Sequence, residues 1–214
     1  GTRADFTTRP QNVAAVTGTF VRLNCALENP NLVIWWEYIT NPTGQALSQN
    51  EVIGDIPDKD IYNISTPSTG AFNLGISLLA RSGGRYKCQQ VLPNSIESNL
   101  HVIVLATEPE CTSTVPPTRT VAEGDDITFT CDVTYAGDDG WAPNMEWRND
   151  EGVINDPNDE SGGKVIRVSV KRTATPDMDG MVFSAKTHFT DYDGTLPGDF
   201  ATNIPTYEHI HSYN

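Results

Sequence analysis

The chain has 214 residues, 37% of them apolar and 20% charged, with a formal net charge of −14 at neutral pH. That length exceeds one β-sandwich of about 100 residues and accommodates two. The acidity argues against nucleic acid or an anionic membrane as a partner, because phosphates would be repelled. Apolar runs such as His101-Val-Ile-Val-Leu-Ala106 fall far short of the about 20 residues that a membrane helix needs. The chain opens without the charged and apolar regions of a signal peptide. Gly1 is therefore expected to be a mature or trimmed terminus, with any membrane attachment made by a segment outside this sequence.

The first eleven residues are polar and irregular. Residues 13–16 and 21–25 then read as two strands separated by Gly18, with Val21, Leu23 and Cys25 alternating onto one face. Glu28-Asn-Pro-Asn31 is turn chemistry, and residues 32–39 form the next strand. This strand holds a tryptophan pair. If Trp36 points inward, Leu32 and Ile34 go with it, while Trp35 and Glu37 face out. The alternative places Glu37 on the buried face. The first reading buries no charge and is preferred. Residues 40–71 are too long for a structureless loop, so short strands are expected at 45–47, 52–56 and 61–64. Strands at 72–79, 84–92 and 97–105 complete the first unit.

Residues 107–110 contain one proline and no glycine, and predict a short, stiff junction. Beyond it, Glu123-Gly-Asp-Asp-Ile-Thr-Phe-Thr-Cys131 repeats the grammar of residues 18–25, and Asn144-Met-Glu-Trp147 repeats that of the tryptophan strand. Further strands are expected at 165–170 and 179–189. A repeat near one hundred residues means two copies of one fold, divided as 1–106 and 107–214. The charge is divided unequally. The first part carries 7 Lys and Arg against 8 Asp and Glu, and the second 7 against 20.

Cys25, Trp36, Gly84, Tyr86 and Cys88, with Ser82-Gly-Gly-Arg-Tyr-Lys-Cys88 at the strand end, resemble the immunoglobulin superfamily, and the resemblance covers nearly the whole chain. It implies an all-β protein of two tandem immunoglobulin-like sandwiches, V-like and then C2- or I-like. It also implies a Cys25–Cys88 intersheet disulfide, a Tyr86 hydroxyl turned back onto the chain, and core positions for Trp36, Tyr86, Trp147 and Phe183. Ser82 stands where the family usually has aspartate, which puts the usual arginine–aspartate bridge at the sandwich base in question. In the second part, Phe183 takes the tyrosine position, Met181 the glycine position and Ala185 that of the second cysteine, so an intersheet disulfide cannot form. The expected bridge is Cys111–Cys131; the alternatives are a free, buried Cys131 with Cys111 paired elsewhere, or an introduced alanine at 185. Without an intersheet staple the second unit is expected to be the less stable one.

Four cysteines without metal spacing favour an oxidising, extracellular setting, at the cell surface or secreted. Asn63-Ile64-Ser65 is the only usable N-glycosylation sequon, since Asn41-Pro42-Thr43 is blocked by its proline. No nucleophile motif or phosphate-cradling loop is present, so the chain is expected not to be an enzyme and to need no cofactor or metal. His209 and His211 read as tail residues, and the acidic clusters at 138–139, 149–151, 155–160 and 191–193 as solvated loops, with a calcium-dependent adhesion module as a minor reading. The resemblance implies a contact sheet on the V-like unit, to which Trp35, Tyr38, Gln45, Lys87, Gln89 and Val91 are assigned. The tip loops at 28–31 and 93–98 are the runner-up. The expected function is that of an adhesion or immune-type receptor ectodomain binding a protein partner, first of all a second copy of itself. The alternative is a secreted humoral molecule recognising microbial ligands or glycans.

Overall fold

The structure, a computed structural model, describes residues 5–28, 34–39, 44–91, 95–116, 119–188 and 208–212. It is all-β. In the first part the strands are β1 (Phe6–Thr8), β2 (Val13–Val16), β3 (Phe20–Leu23), β4 (Ala26–Leu27), β5 (Ile34–Ile39), β6 (Gly44–Gln49), β7 (Val52–Ile53), β8 (Tyr62–Ser65), β9 (Asn73–Ser77), β10 (Gly84–Gln90) and β11 (Ile96–Leu105). One sheet runs β2-β11-β10-β5-β6-β7, with β2 parallel to β11. The other runs β3-β9-β8, and β1 pairs with β4 beside it.

Alternation explains what lies between these two sheets. Val21 and Leu23 from β3, Leu74 and Ile76 from β9, and Ile34, Trp36, Tyr86 and Cys88 from the opposite sheet form one buried cluster. Cys25 and Cys88 are bonded across it, 63 residues apart in sequence. The Trp36 indole is fully buried, and its Nε1 donates to Phe72 O at 2.7 Å. The Tyr86 hydroxyl donates to Ser82 O at 2.8 Å, turning back onto the chain four residues upstream. Burial raises the Tyr86 phenol far above its ordinary range, so it remains a donor. Ser82 ties down the same corner, accepting from Leu79 N through Oγ at 2.9 Å. The ion pair at this end of the sandwich joins Arg81 to Asp58 at 2.7 Å.

The second part comprises β12 (Glu110–Ser113), β13 (Asp126–Ala136), β14 (Asn144–Asn149), β15 (Gly152–Val153), β16 (Asn158–Asp159), β17 (Val165–Thr173), β18 (Val182–His188) and β19 (Glu208–Ser212). β16, β17, β13 and β12 lie side by side, facing the sheet β15-β14-β18-β19. Trp147 and Phe183 are buried between them, and the Phe183 ring stacks on Phe129 with centroids 4.3 Å apart. Ala185 is fully buried opposite Trp147 in the register. Cys131 bonds to Cys111 on the neighbouring strand of its own sheet, closing a span of 20 residues. In the loop-entropy picture such a closure contributes about 3 kcal/mol. Between the two sheets the rings of Phe129, Trp147 and Phe183 pack in one buried cluster with Cys131 and Ala185. Both parts are immunoglobulin-like sandwiches.

One expectation is corrected. Residues 208–212 are not a tail: β19 pairs with β18, placing His209 opposite Ala185 and His211 opposite Phe183. An exposed strand edge needs a partner for its amides, and this segment supplies it. Besides the short junction at 107–110, the two parts are joined by direct strand pairing. β11 passes directly into pairing with β13, Val104 opposite Ala136 and Leu105 opposite Tyr135. Ala14, Ile103 and Leu105, from β2 and β11, belong to the second buried cluster.

Candidate binding face

The outer side of the β11-β10-β5-β6 sheet follows from the same alternation. With Ile34 and Trp36 inward, Trp35 and Glu37 face out. The register sets Trp35 beside Gln89 on β10 and Gln49 on β6. Glu37 lies beside Lys87, which lies beside Asn99, while Gln89 lies beside Glu97. Lys87 Nζ sits 2.9 Å from Glu37 Oε2 and 3.4 Å from Glu97 Oε2, and Gln89 Nε2 donates to Glu37 Oε2 at 3.3 Å. The Lys87 side chain is only 17% exposed. Burial works against its charge, but hydrogen bonds and attraction from Glu37 and Glu97 prevail and raise its pKa above the ordinary lysine value. The result is a face of internally matched charge around a half-buried indole.

Of the residues assigned to this face from sequence, Trp35, Lys87 and Gln89 meet on it. Val91 lies just past the end of β10 and is 41% exposed. Tyr38 does not join them. It shares the inward side with Ile34 and Trp36, its ring centroid 4.9 Å from that of Tyr86, and its hydroxyl donates to Gly83 O at 2.9 Å. Gln45, opposite Tyr38, shares that side and is likewise removed from the face. Period-two alternation from Trp36 was the signal that excluded Tyr38, whereas the side taken by Gln45 follows from its pairing with β5. Glu37, read as facing out but not assigned to the face, belongs to it, as do Glu97, Gln49 and Val52, which were missed. The first two complete the charge network. The latter two depend on a bulge that slips β6 by one residue against β5, between Trp36 and Glu37, which no pattern in β6 reveals. Beside Trp35, the β6–β7 hairpin walls an open groove of about 860 Å³, with Val52 68% exposed at its rim.

Other candidates lie elsewhere. Asn63 is exposed on β8. The acidic loops use some of their carboxylates internally: Asp156 pairs with Arg172 at 2.8 Å, and Asp150 Oδ2 accepts from Val182 N at 3.3 Å. Among the described residues no group of three or more His, Cys, Asp or Glu converges as a metal site would. No described helix is long and apolar enough to cross a membrane. The tip loops at 28–31 and 93–98 lie partly, and the acidic pair Asp191 and Asp193 wholly, outside the described residues.

No protein-family model and no curated protein matches the chain. Many solved chains do. One of them, described as the crystal structure of the RIG-5 IG1 homodimer, matches with a TM-score of 0.42 and 16% identity, over 48% of this chain and 98% of that one. At that level the likeness speaks to neither partner nor activity.

Proposed function

We propose that the chain is a non-catalytic extracellular recognition module of the adhesion or immune-receptor kind, binding a protein partner through the outer face of the β11-β10-β5-β6 sheet. In this reading residues 1–106 form a V-like recognition unit and residues 107–214 a C2- or I-like acidic spacer. Two disulfides fit an oxidising, extracellular or secreted setting. The observation that carries the reading is Trp35. It lies half-buried on an outward sheet face whose charges are already paired, so a partner can cover it without stranding an ion. The partner proposed is a second copy. The face sets Lys87 between Glu37 and Glu97, so a two-fold copy of itself presents both signs of charge rather than one.

Sedimentation equilibrium over a wide concentration range tests this. The wild type should self-associate and Trp35→Glu should remain monomeric with an unchanged circular dichroism spectrum. A wild type that stays monomeric up to hundreds of micromolar would exclude the homophilic mechanism and point to another partner. Dimerisation that persists in Trp35→Glu would place the contact on another face.

A further inference from the structure

The opposite sheet of the first sandwich presents a different surface. β8 is its edge strand, and the sequon Asn63-Ile64-Ser65 lies within it. Asn63 is exposed and stands opposite Gly75 on β9; Arg22 on β3 stands opposite Gly75 from the other side. Phe20, 46% exposed on β3, completes this outer face. A Cβ on Gly75 would strike both Asn63 Oδ1 and the rim of the Phe20 ring. The asparagine amide and the phenyl ring therefore converge over a glycine from strands on either side of it. A second observation is independent of this one. Ser65 Oγ is buried and has no hydrogen-bond partner among the described residues. An unpaired buried hydroxyl is a net cost that alanine would avoid. It is the hydroxyl that the third position of the sequon requires.

We propose that Asn63 is an N-glycosylation site and that its first N-acetylglucosamine rests on Phe20 across Gly75. In the transfer, Asn63 Nδ2 attacks the anomeric carbon of a lipid-diphosphate-linked oligosaccharide. The N–C bond forms, the C–O bond to the diphosphate breaks, the amide loses one proton, and the lipid diphosphate leaves. This happens on the extended chain, before Ser65 is enclosed. Once folded, the apolar face of the sugar covers an otherwise exposed aromatic ring, and the glycan blocks edge pairing at β8. The glycosylated sheet is closed to partners and the Trp35 face stays bare.

The test is expression of the whole chain through a eukaryotic secretory pathway, followed by glycopeptide mapping. A hexosamine-bearing Asn63 peptide is expected, lost in Asn63→Gln; an unmodified Asn63 peptide in secreted wild type would overturn the proposal. The position of the sugar is tested by trimming to a single N-acetylglucosamine. The trimmed wild type should melt above the sugar-free protein, and Phe20→Ala should abolish that difference. An equal difference in both would refute the contact with Phe20. In sugar-free protein from bacteria, Ser65→Ala should melt no lower than wild type. A marked loss would show that the hydroxyl serves the fold, and would remove the second line of argument.

Discussion

Adjacent tryptophans in β5 meet opposite fates because a strand turns successive side chains to opposite faces. Trp36 is enclosed beside the Cys25–Cys88 disulfide with its indole nitrogen satisfied, whereas Trp35 rests on the outer surface. Trp36→Ala should therefore cost about 3–5 kcal/mol, combining lost burial with a cavity that the disulfide keeps from collapsing. Trp35→Ala should change stability by no more than about 1 kcal/mol. Urea unfolding of the two variants measures the contrast; equal losses would mean that Trp35 is a core residue. Tyr38 shows the limit of reading residues singly. Its phenol is a common contact group, but two residues beyond Trp36 it has to face inward, and there it braces Tyr86 and Gly83.

β11 is the element that serves both sandwiches. Val102 and Val104 enter the first core, while Ile103 and Leu105 enter the second. Its alternation, which in most strands separates core from solvent, here separates two cores. His101 lies at the start of this stretch. Its ring stacks on Trp141 with centroids 4.0 Å apart, and Nδ1 lies 3.0 Å from Asp138 Oδ2. Burial lowers its pKa below the ordinary 6.5; Asp138 opposes this, and Arg85 reinforces it. The unfolded chain thus binds the proton more readily than the folded one. Stability at this junction is complete above the ordinary histidine value and is lost as pH falls from about 6.5 towards the lowered folded value. Melting temperature measured from pH 7.5 to 5 should fall less steeply for His101→Phe than for wild type. Parallel curves would mean that the histidine does not titrate across folding.

At the scale of the whole molecule, the two sandwiches touch at their junction through backbone and side chains alike. Backbone pairing of β11 with β13, the shared apolar residues and the His101–Trp141 stack all cross it. Gly83 lets the first sandwich approach closely, since a Cβ there would meet Ala136 O and the start of Gly137. Gly83→Leu should therefore push the units apart. The wild type is expected to melt in one calorimetric transition, and the variant in two with an increased radius of gyration by small-angle scattering. One unchanged transition in the variant would show that the contact is dispensable. The same coupling bears on the expected weakness of the second sandwich: although it lacks an intersheet disulfide, it borrows Ala14, Ile103 and Leu105 from its neighbour. Its excess of carboxylates, 20 against 7 basic residues in residues 107–214, keeps that end of the molecule away from its own copies and from anionic surfaces.

The sequence by itself determined the architecture of each sandwich, because local signals carry it: alternation in β3 and β5, the tyrosine two residues before Cys88, and an alanine where a second intersheet cysteine would stand. It also contained the inward turn of Tyr38, legible from Trp36 by counting. Only the tertiary structure decided the composition of the candidate face and the form of the junction. The bulge in β6 sets which residues flank Trp35, and a bulge is a compromise between two strands that neither encodes alone. The pairing of β19 with β18, of β11 with β13, and of Phe20 with Asn63 across Gly75 joins residues far apart in sequence. Such contacts form because each sheet edge and each exposed ring takes the neighbour that the packed chain brings to it.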